Sequence, residues 1–281
     1  MRITNKFGLP ESIVRAIAND PYEGGGDISV TTLIAPPQMR LLKNHFHDEI
    51  EEDASDRIWS LIGQAVHSIL ERIDDGSIKE QRLYMDVEGW SVSGQFDRYL
   101  NKSLIDYKIT SVWAVKQGIK REWEEQLNLL AVLCRANGYA VERLGITAIL
   151  RDWRKSEAYQ YSDYPQSQVQ TIPIPLWDSW KAMEFMVDRV KLHQRVTNGE
   201  HVPCTNEERW YRGEKWAVMK KGRKSALRLL DSEAEAKAWM EKNDPKAEIV
   251  HRTGNYIRCE QYCSVSKFCK QHGAHHAKET N

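Results

Sequence analysis

Two short segments carry acids at a spacing that metal-assisted hydrolysis could use: Gly94-Gln95-Phe96-Asp97-Arg98 and Leu104-Ile105-Asp106-Tyr107-Lys108. Side chains alternate along a strand, so Asp106 and Lys108 share one face while Ile105, Tyr107 and Ile109 take the other. A carboxylate and an ammonium flanked by apolar residues are costly on a buried strand unless something compensates them. A short turn between the two segments can bring Asp97 close to Asp106, and a divalent cation would relieve the repulsion between them. Upstream, His67 has Gly63 one helical turn before it and Glu71 one turn after, and a neutral imidazole is a suitable ligand for Mn²⁺ or Mg²⁺. Gln126, further on, can donate or accept hydrogen bonds near the same cluster. Taken singly, each residue has a bland reading: an Asp-x-Lys pair is ordinarily a surface ion pair, and a helical His or Glu is ordinarily structural or solvated. Their order within 60 residues is what points to chemistry.

The elements that must position these residues are legible from periodicity. A short helical stretch at Glu11–Ala18 and the breaker run Pro21 to Gly26 precede a β-favouring segment, Ile28 to Leu33. From Asp56 to Ile73, the residues Ile58, Ile62, Val66, Ile69 and Ile73 recur at helical steps, ending at Asp74-Asp75-Gly76. Three strands are expected at 81–87, 90–100 and 103–110, joined by the two-residue turns Glu88-Gly89 and Asn101-Lys102 as an antiparallel meander. A helix over 115–137, stopped by Gly138, precedes a strand at 145–151 and a helix over 176–196. This order predicts an α/β fold with a mixed central sheet. Residues 1–200 form the expected core with its N-terminal extension. Residues 201–281 form a cysteine-bearing region with a small α+β insert at about 210–252, whose helix opens with a Ser232/Glu235 capping pair.

These motifs resemble the PD-(D/E)XK nucleases, in particular their RecB-like, CRISPR-associated iron–sulfur exonuclease-like branch. The resemblance rests on Gly63-Gln64-Ala65-Val66-His67, Gly94-Gln95-Phe96-Asp97-Arg98, Ile105-Asp106-Tyr107-Lys108 and Gln126-Leu127, and covers about residues 28–151. Leu130 stands where an aromatic Tyr often follows the helical Gln. The resemblance implies a restriction-endonuclease-like sheet flanked by helices and a DNA nuclease, in exonuclease mode, dependent on Mg²⁺ or Mn²⁺. It implies that His67, Asp97, Asp106 and the Tyr107 main-chain carbonyl bind the metal. Lys108 would orient the attacking water or stabilise developing charge, and Gln126 would place the lysine or the DNA. The implied partner is DNA, as a single strand or a duplex end, in recombination, repair, phage replication or defence, with room for a helicase or recombinase. The alternative is a catalytically inactive nucleic-acid-binding or scaffolding protein.

Cys204, Cys259, Cys263 and Cys269 lie in the last 78 residues, whereas Cys134 sits in an apolar helical stripe as a buried small hydrophobe. Four thiols suit a structural zinc, with His251, His272, His275 and His276 as spare ligands, or a cubane iron–sulfur cluster. The resemblance implies a [4Fe-4S] cluster that closes the segment between Cys204 and Cys259 onto the core. Here the remote cysteine follows the nuclease-like motifs rather than preceding them. Lys220, Lys221, Arg223 and Lys224 are expected at a hairpin tip able to contact phosphates, with Trp210, Tyr211 and Trp216 nearby. An exposed, merely soluble turn is the plain alternative.

Composition bounds the rest. The 281 residues carry 40 basic and 40 acidic side chains, so attraction to nucleic acid must be local rather than global. A hydrophobic content of 41% and a charged content of 28% fit a globular chain. No apolar run is long enough for a membrane span, and no apolar signal core follows Met1, so a cytoplasmic location is expected.

Overall fold

The computed structural model describes residues 1–19 and 24–273. Pro21 in the breaker run, together with His275 and His276, falls outside them. The chain divides into two compact units, residues 1–201 and 202–281. Among the described residues no helix is long and apolar enough to cross a membrane.

The first unit opens with β1 (Arg2–Thr4), α1 (Glu11–Ala18), β2 (Ile28–Ser29), α2 (Val30–Ile34), α3 (Pro37–His45) and β3 (Glu51–Asp53). The segment expected to be extended from Ile28 to Leu33 is thus a strand for two residues only. Ser29 then caps a helix by accepting a hydrogen bond from the Thr32 amide, and the β-branched run is overridden by burial of Val30 and Leu33. Next come α4 (Ile58–Glu71), β4 (Ile78–Val87), β5 (Trp90–Leu100) and β6 (Ser103–Thr110). Both turns of this meander hold positive φ at their two central residues, 50° and 78° at Glu88-Gly89 and 48° and 61° at Asn101-Lys102, matching strand twist.

The helix expected over 115–137 is two helices, α5 (Val112–Lys116) and α6 (Arg121–Ala136). Gly118, at φ 90°, breaks them apart. The unit ends with β7 (Arg143–Leu150), α7 (Lys155–Gln160), β8 (Val169–Ile174) and α8 (Ser179–Thr197). The central sheet is mixed: β6 and β7 run parallel, while β4–β5, β5–β6 and β7–β8 are antiparallel. Pro173 lies in β8, an edge strand, where a missing amide is tolerated. Helices flank this sheet. α6 is buried from Leu127 through Cys134, and with α2, α8 and the sheet it forms the main core.

Strand β5 explains where the sheet opens. One edge pairs with β4 along its length. The other edge pairs with β2 at Val92 and Ser93, and with β6 only from Arg98 to Leu100. Gly94 to Asp97 therefore face a gap. At its apolar end, Gly94 is required by packing, because a Cβ there would lie 2.5 Å from Leu130 Cδ2 and 2.7 Å from Leu133 Cδ1.

In the second unit, β9 (Tyr211–Arg212) is followed by β10 (Lys215–Met219), β11 (Arg228–Leu230), α9 (Glu233–Asn243), β12 (Glu248–Arg252) and β13 (Asn255–Tyr256). Strands β11, β10 and β12 form an antiparallel sheet on which α9 packs through Val218, Ala236 and Ala247. Ser232 caps α9 by accepting from the Glu235 amide.

Candidate active site

The gap beside β5 is the floor of a cleft of about 850 Å³ lined by α4, the start of α2, and the centres of β5, β6 and α6. Beyond Arg98 and Ile105 the β5–β6 ladder stops, with Asp97 and Asp106 next in register across the opening. The Asp97 carboxylate fills in for the missing strand partner: its Oδ2 accepts the Tyr107 amide at 2.6 Å. A backbone donor of the sheet is thereby satisfied by a side chain, which fixes the acid between the splayed strands.

Asp106 is 3% exposed. Its Oδ1 accepts from Lys108 Nζ at 3.0 Å and from Gln126 Nε2 at 3.3 Å, and the same lysine donates to Gln126 Oε1 at 3.3 Å. Lys108 Nζ also lies 2.9 Å from Oδ2, but that oxygen makes no contact of hydrogen-bond geometry. One buried carboxylate oxygen thus retains only an ion-pair contact. Burial opposes the charge on Lys108, yet the Asp106 and Asp97 carboxylates outweigh it and hold the ammonium above the ordinary lysine value.

His67 reaches the same place from α4. Its Nε2 lies 3.3 Å from the Tyr107 carbonyl oxygen, and its Nδ1 lies 3.2 Å from Glu80 Oε1 and 3.6 Å from Asp97 Oδ1. The hydrogen bond to Glu80, with the charges of Asp97 and Asp106, pushes the imidazole up to about 9 despite burial. Burial and the Asp106 charge push Asp97 up to about 7, with His67 opposing. The acids around His67 thus favour its protonated form.

The structure thus brings together every residue the motifs nominate for the centre: His67, Asp97, Asp106, Tyr107, Lys108 and Gln126 all line one cleft. Glu71 lines it too. Among the described residues, His67, Glu80 and Asp97 offer ligand atoms that all lie within 4.8 Å of one another. Sequence reasoning missed Glu80. It lies in β4 between Lys79, paired with Arg98, and Gln81, paired with Phe96, hence opposite Asp97. Its φ of 47° is left-handed, an unusual state for glutamate that the surrounding ladder holds in place. Gln95 Nε2 donates to Glu80 Oε2 at 2.7 Å, and Arg82 donates to Gln95 Oε1 at 2.9 Å. Counting back from the Glu88-Gly89 turn pairs Glu80 with Asp97, so the signal was present.

No protein-family model and no curated protein sequence matches the chain. Among solved structures, the chain is similar to SSO0001 at 16% identity and a TM-score of 0.46, over 70% of this chain and 89% of that one. It is similar to a candidate exonuclease from Eubacterium rectale at 15% identity and a TM-score of 0.34, over 51% of this chain and 56% of that one. It is also similar to an alkaline exonuclease from Laribacter hongkongensis at 14% identity and a TM-score of 0.39, over 60% of this chain and 89% of that one.

In the second unit, Cys259 lies in the helical turn Arg258–Tyr262, Cys263 just after it, and Cys269 just after the turn Ser266–Phe268. Gln271 clamps Cys204 from both sides, accepting from its amide and donating to its carbonyl, each at 2.9 Å. Burial, then Glu208 and the three other thiols, push Cys204 up to about 12. The buried Arg209 points its Nε at Cys259 Sγ, 3.5 Å away, with another nitrogen lacking a hydrogen-bond partner. Of the proposed spare ligands, His251 stacks on Trp216 and pairs with Glu214. Cys134 is buried in the first unit's core, its thiol pushed up to about 12 by burial.

Lys220, Lys221, Arg223 and Lys224 are exposed in the turn between β10 and β11, which Gly222 makes possible at φ 81°. The aromatics expected beside them pack elsewhere: Trp216 on the small core, Trp210 on Tyr262, and Tyr211 on Tyr256.

Proposed function

We propose that the first unit is a metal-dependent DNA nuclease, hydrolysing phosphodiester bonds in exonuclease mode. The observation that carries this reading is the convergence in one open cleft of two acids from splayed neighbouring strands, an imidazole and a lysine. The donor set suits a hard divalent cation, and the buried Asp106 oxygen without a hydrogen bond is the kind of atom such an ion satisfies. His67, Asp97, Asp106 and the Tyr107 carbonyl would hold it. When bound, Mg²⁺ or Mn²⁺ supplies a lowered pKa to a water and neutralises charge on the phosphodiester. Lys108, tethered to Asp106 and Gln126, stands where an ammonium can orient the nucleophile and meet developing negative charge. Glu80 holds the ring of His67 through Nδ1, leaving Nε2 facing Tyr107. The exonuclease mode rests on the resemblance of the motifs.

For the second unit we propose a [4Fe-4S] cluster on Cys204, Cys259, Cys263 and Cys269, with zinc as the competitor. Cys204 lies near enough to the three other thiols for their charges to help raise it. The buried Arg209, aimed at Cys259, suits an anionic thiolate cluster. A brown protein with iron and sulfide on anaerobic purification fits this proposal, and stoichiometric zinc removes it. The exposed basic turn at Lys220–Lys224 is proposed as a phosphate contact.

Digestion of end-labelled single-stranded, duplex and circular DNA with Mg²⁺ or Mn²⁺ tests the enzyme. Wild type should shorten linear DNA and spare circles, while Asp106→Ala does not digest and Lys108→Ala digests ~10²- to 10³-fold more slowly. A wild type as inert as both variants would leave a binding or scaffolding protein.

A further inference from the structure

The first turn of α4 carries a tryptophan whose placement the metal centre does not explain. Trp59 lines the cleft yet is 49% exposed, a large apolar surface left to water. The Arg151 guanidinium stacks over its ring at 4.3 Å. Arg151 sits just past the end of β7, where its amide donates to the Thr110 carbonyl at the end of β6, the strand of Asp106 and Lys108. Among the described residues no carboxylate forms an ion pair with it. Nearby, Lys120 lies over the Trp123 ring at 5.0 Å and is held below the ordinary lysine value by burial, with the Glu122 charge opposing and the Arg151 and Lys108 charges adding to it.

Between Trp59 and His67 the helix presents Gly63. A glycine inside a helix is destabilising relative to alanine, and packing does not require it here: a Cβ at Gly63 would meet nothing within 4 Å. It lines the cleft all the same. Trp59, Gly63 and His67 follow one another at four-residue steps, so an aromatic platform and an open saddle lead to the metal-site imidazole over ~12 Å.

We infer that Trp59, Arg151 and Gly63 form a subsite for an unpaired nucleotide, a few positions along the strand from the bond at the metal centre. The base stacks on Trp59, Arg151 meets the adjoining phosphate, and the strand passes over Gly63. The substrate of the cleft is then a single strand or an unpaired end rather than an intact duplex, because only an unpaired base offers its face to a side chain inside a groove. This inference rests on the proposed nuclease reading and deepens it.

The test is binding of a fluorescein-labelled twelve-residue oligothymidylate and of a blunt duplex of equal length to the full chain in EDTA, read by anisotropy, so that no hydrolysis enters. Trp59→Ala should weaken the single strand roughly tenfold or more, the usual range for loss of one stacked base. Trp59→Phe should stay within about threefold of wild type, and the duplex should change little in either variant. Gly63→Val should weaken the single strand without lowering the melting temperature, since the new side chain gains helix propensity and meets only the cleft. Unchanged single-strand affinity in Trp59→Ala, or an equal loss on the duplex, would overturn the subsite. If wild type digests DNA while Trp59→Ala binds normally, the subsite alone fails. If wild type digests nothing, the nuclease reading fails, whatever Trp59 does.

Discussion

At His67 and Asp97 a proton and a metal ion compete for the same atoms. With the imidazole raised to about 9 by Glu80 and its neighbouring acids, and Asp97 raised to about 7 by burial and Asp106, each takes up a proton more readily than the free group, and any such proton must leave before a metal ion binds. Metal binding therefore releases protons, and the apparent Mn²⁺ affinity should rise as pH climbs from 6 toward 9. Calorimetric titrations in buffers of differing ionisation enthalpy check this, and a flat profile would contradict it. Glu80 holds the ring in place, so Glu80→Ala should weaken Mn²⁺ binding ~10- to 100-fold. Lys108 is not itself a proposed ligand, although it hydrogen-bonds to one, Asp106, and in the proposed reaction it would meet the phosphate. Lys108→Ala should lower turnover ~10²- to 10³-fold with Mn²⁺ affinity nearly kept. Asp97, Asp106 and Lys108 were legible because strand alternation and a two-residue turn dictate their faces. Glu80 was not read because its strand begins earlier than its apolar pattern, and its left-handed backbone leaves no mark in composition.

Among the elements, the meander was the most legible part, since Glu88-Gly89 and Asn101-Lys102 specify both hairpins. Two segments defeated pattern reading. The β-branched run after Ile28 became α2 because a serine cap and burial outweighed propensity, and the long helix divided at Gly118, where the chain takes a positive φ. Two glycines of the site motifs do opposite work. Gly94 lets β5 approach α6, and a methyl there would collide with Leu130 and Leu133. Gly94→Ala should destabilise the protein by about 1–3 kcal/mol in urea unfolding. Gly63→Ala should not, because open cleft surrounds it. Leu130, where an aromatic Tyr often follows the helical Gln in the resembled family, fits the same packing: it is the side chain over which Gly94 closes.

For the molecule as a whole, acid sensitivity has a separate source. His193 is 1% exposed, and its Nε2 lies 3.1 Å from the Leu33 carbonyl, while Arg189 donates to the Leu33 and Ala35 carbonyls at the end of α2. Burial, then the Arg189 charge, lower this imidazole from 6.5 to about 4. Between those values the unfolded chain binds a proton that the folded chain refuses, so stability is present above pH 6.5 and falls as pH drops toward 4, by up to about 3 kcal/mol. Urea melts across that range should show the slope, and His193→Gln should flatten it. The two-unit division is visible in the primary structure as a change in cysteine usage, whereas the filling of the thiol site is a matter of metal chemistry that residue order leaves open. The proposed function depends on the centre in the first unit, and Mn²⁺ binding followed by electron paramagnetic resonance tests that centre most directly. Wild type should take up Mn²⁺ saturably, and Asp97→Ala and Asp106→Ala should each abolish it. Equal uptake by wild type and both variants would contradict the account.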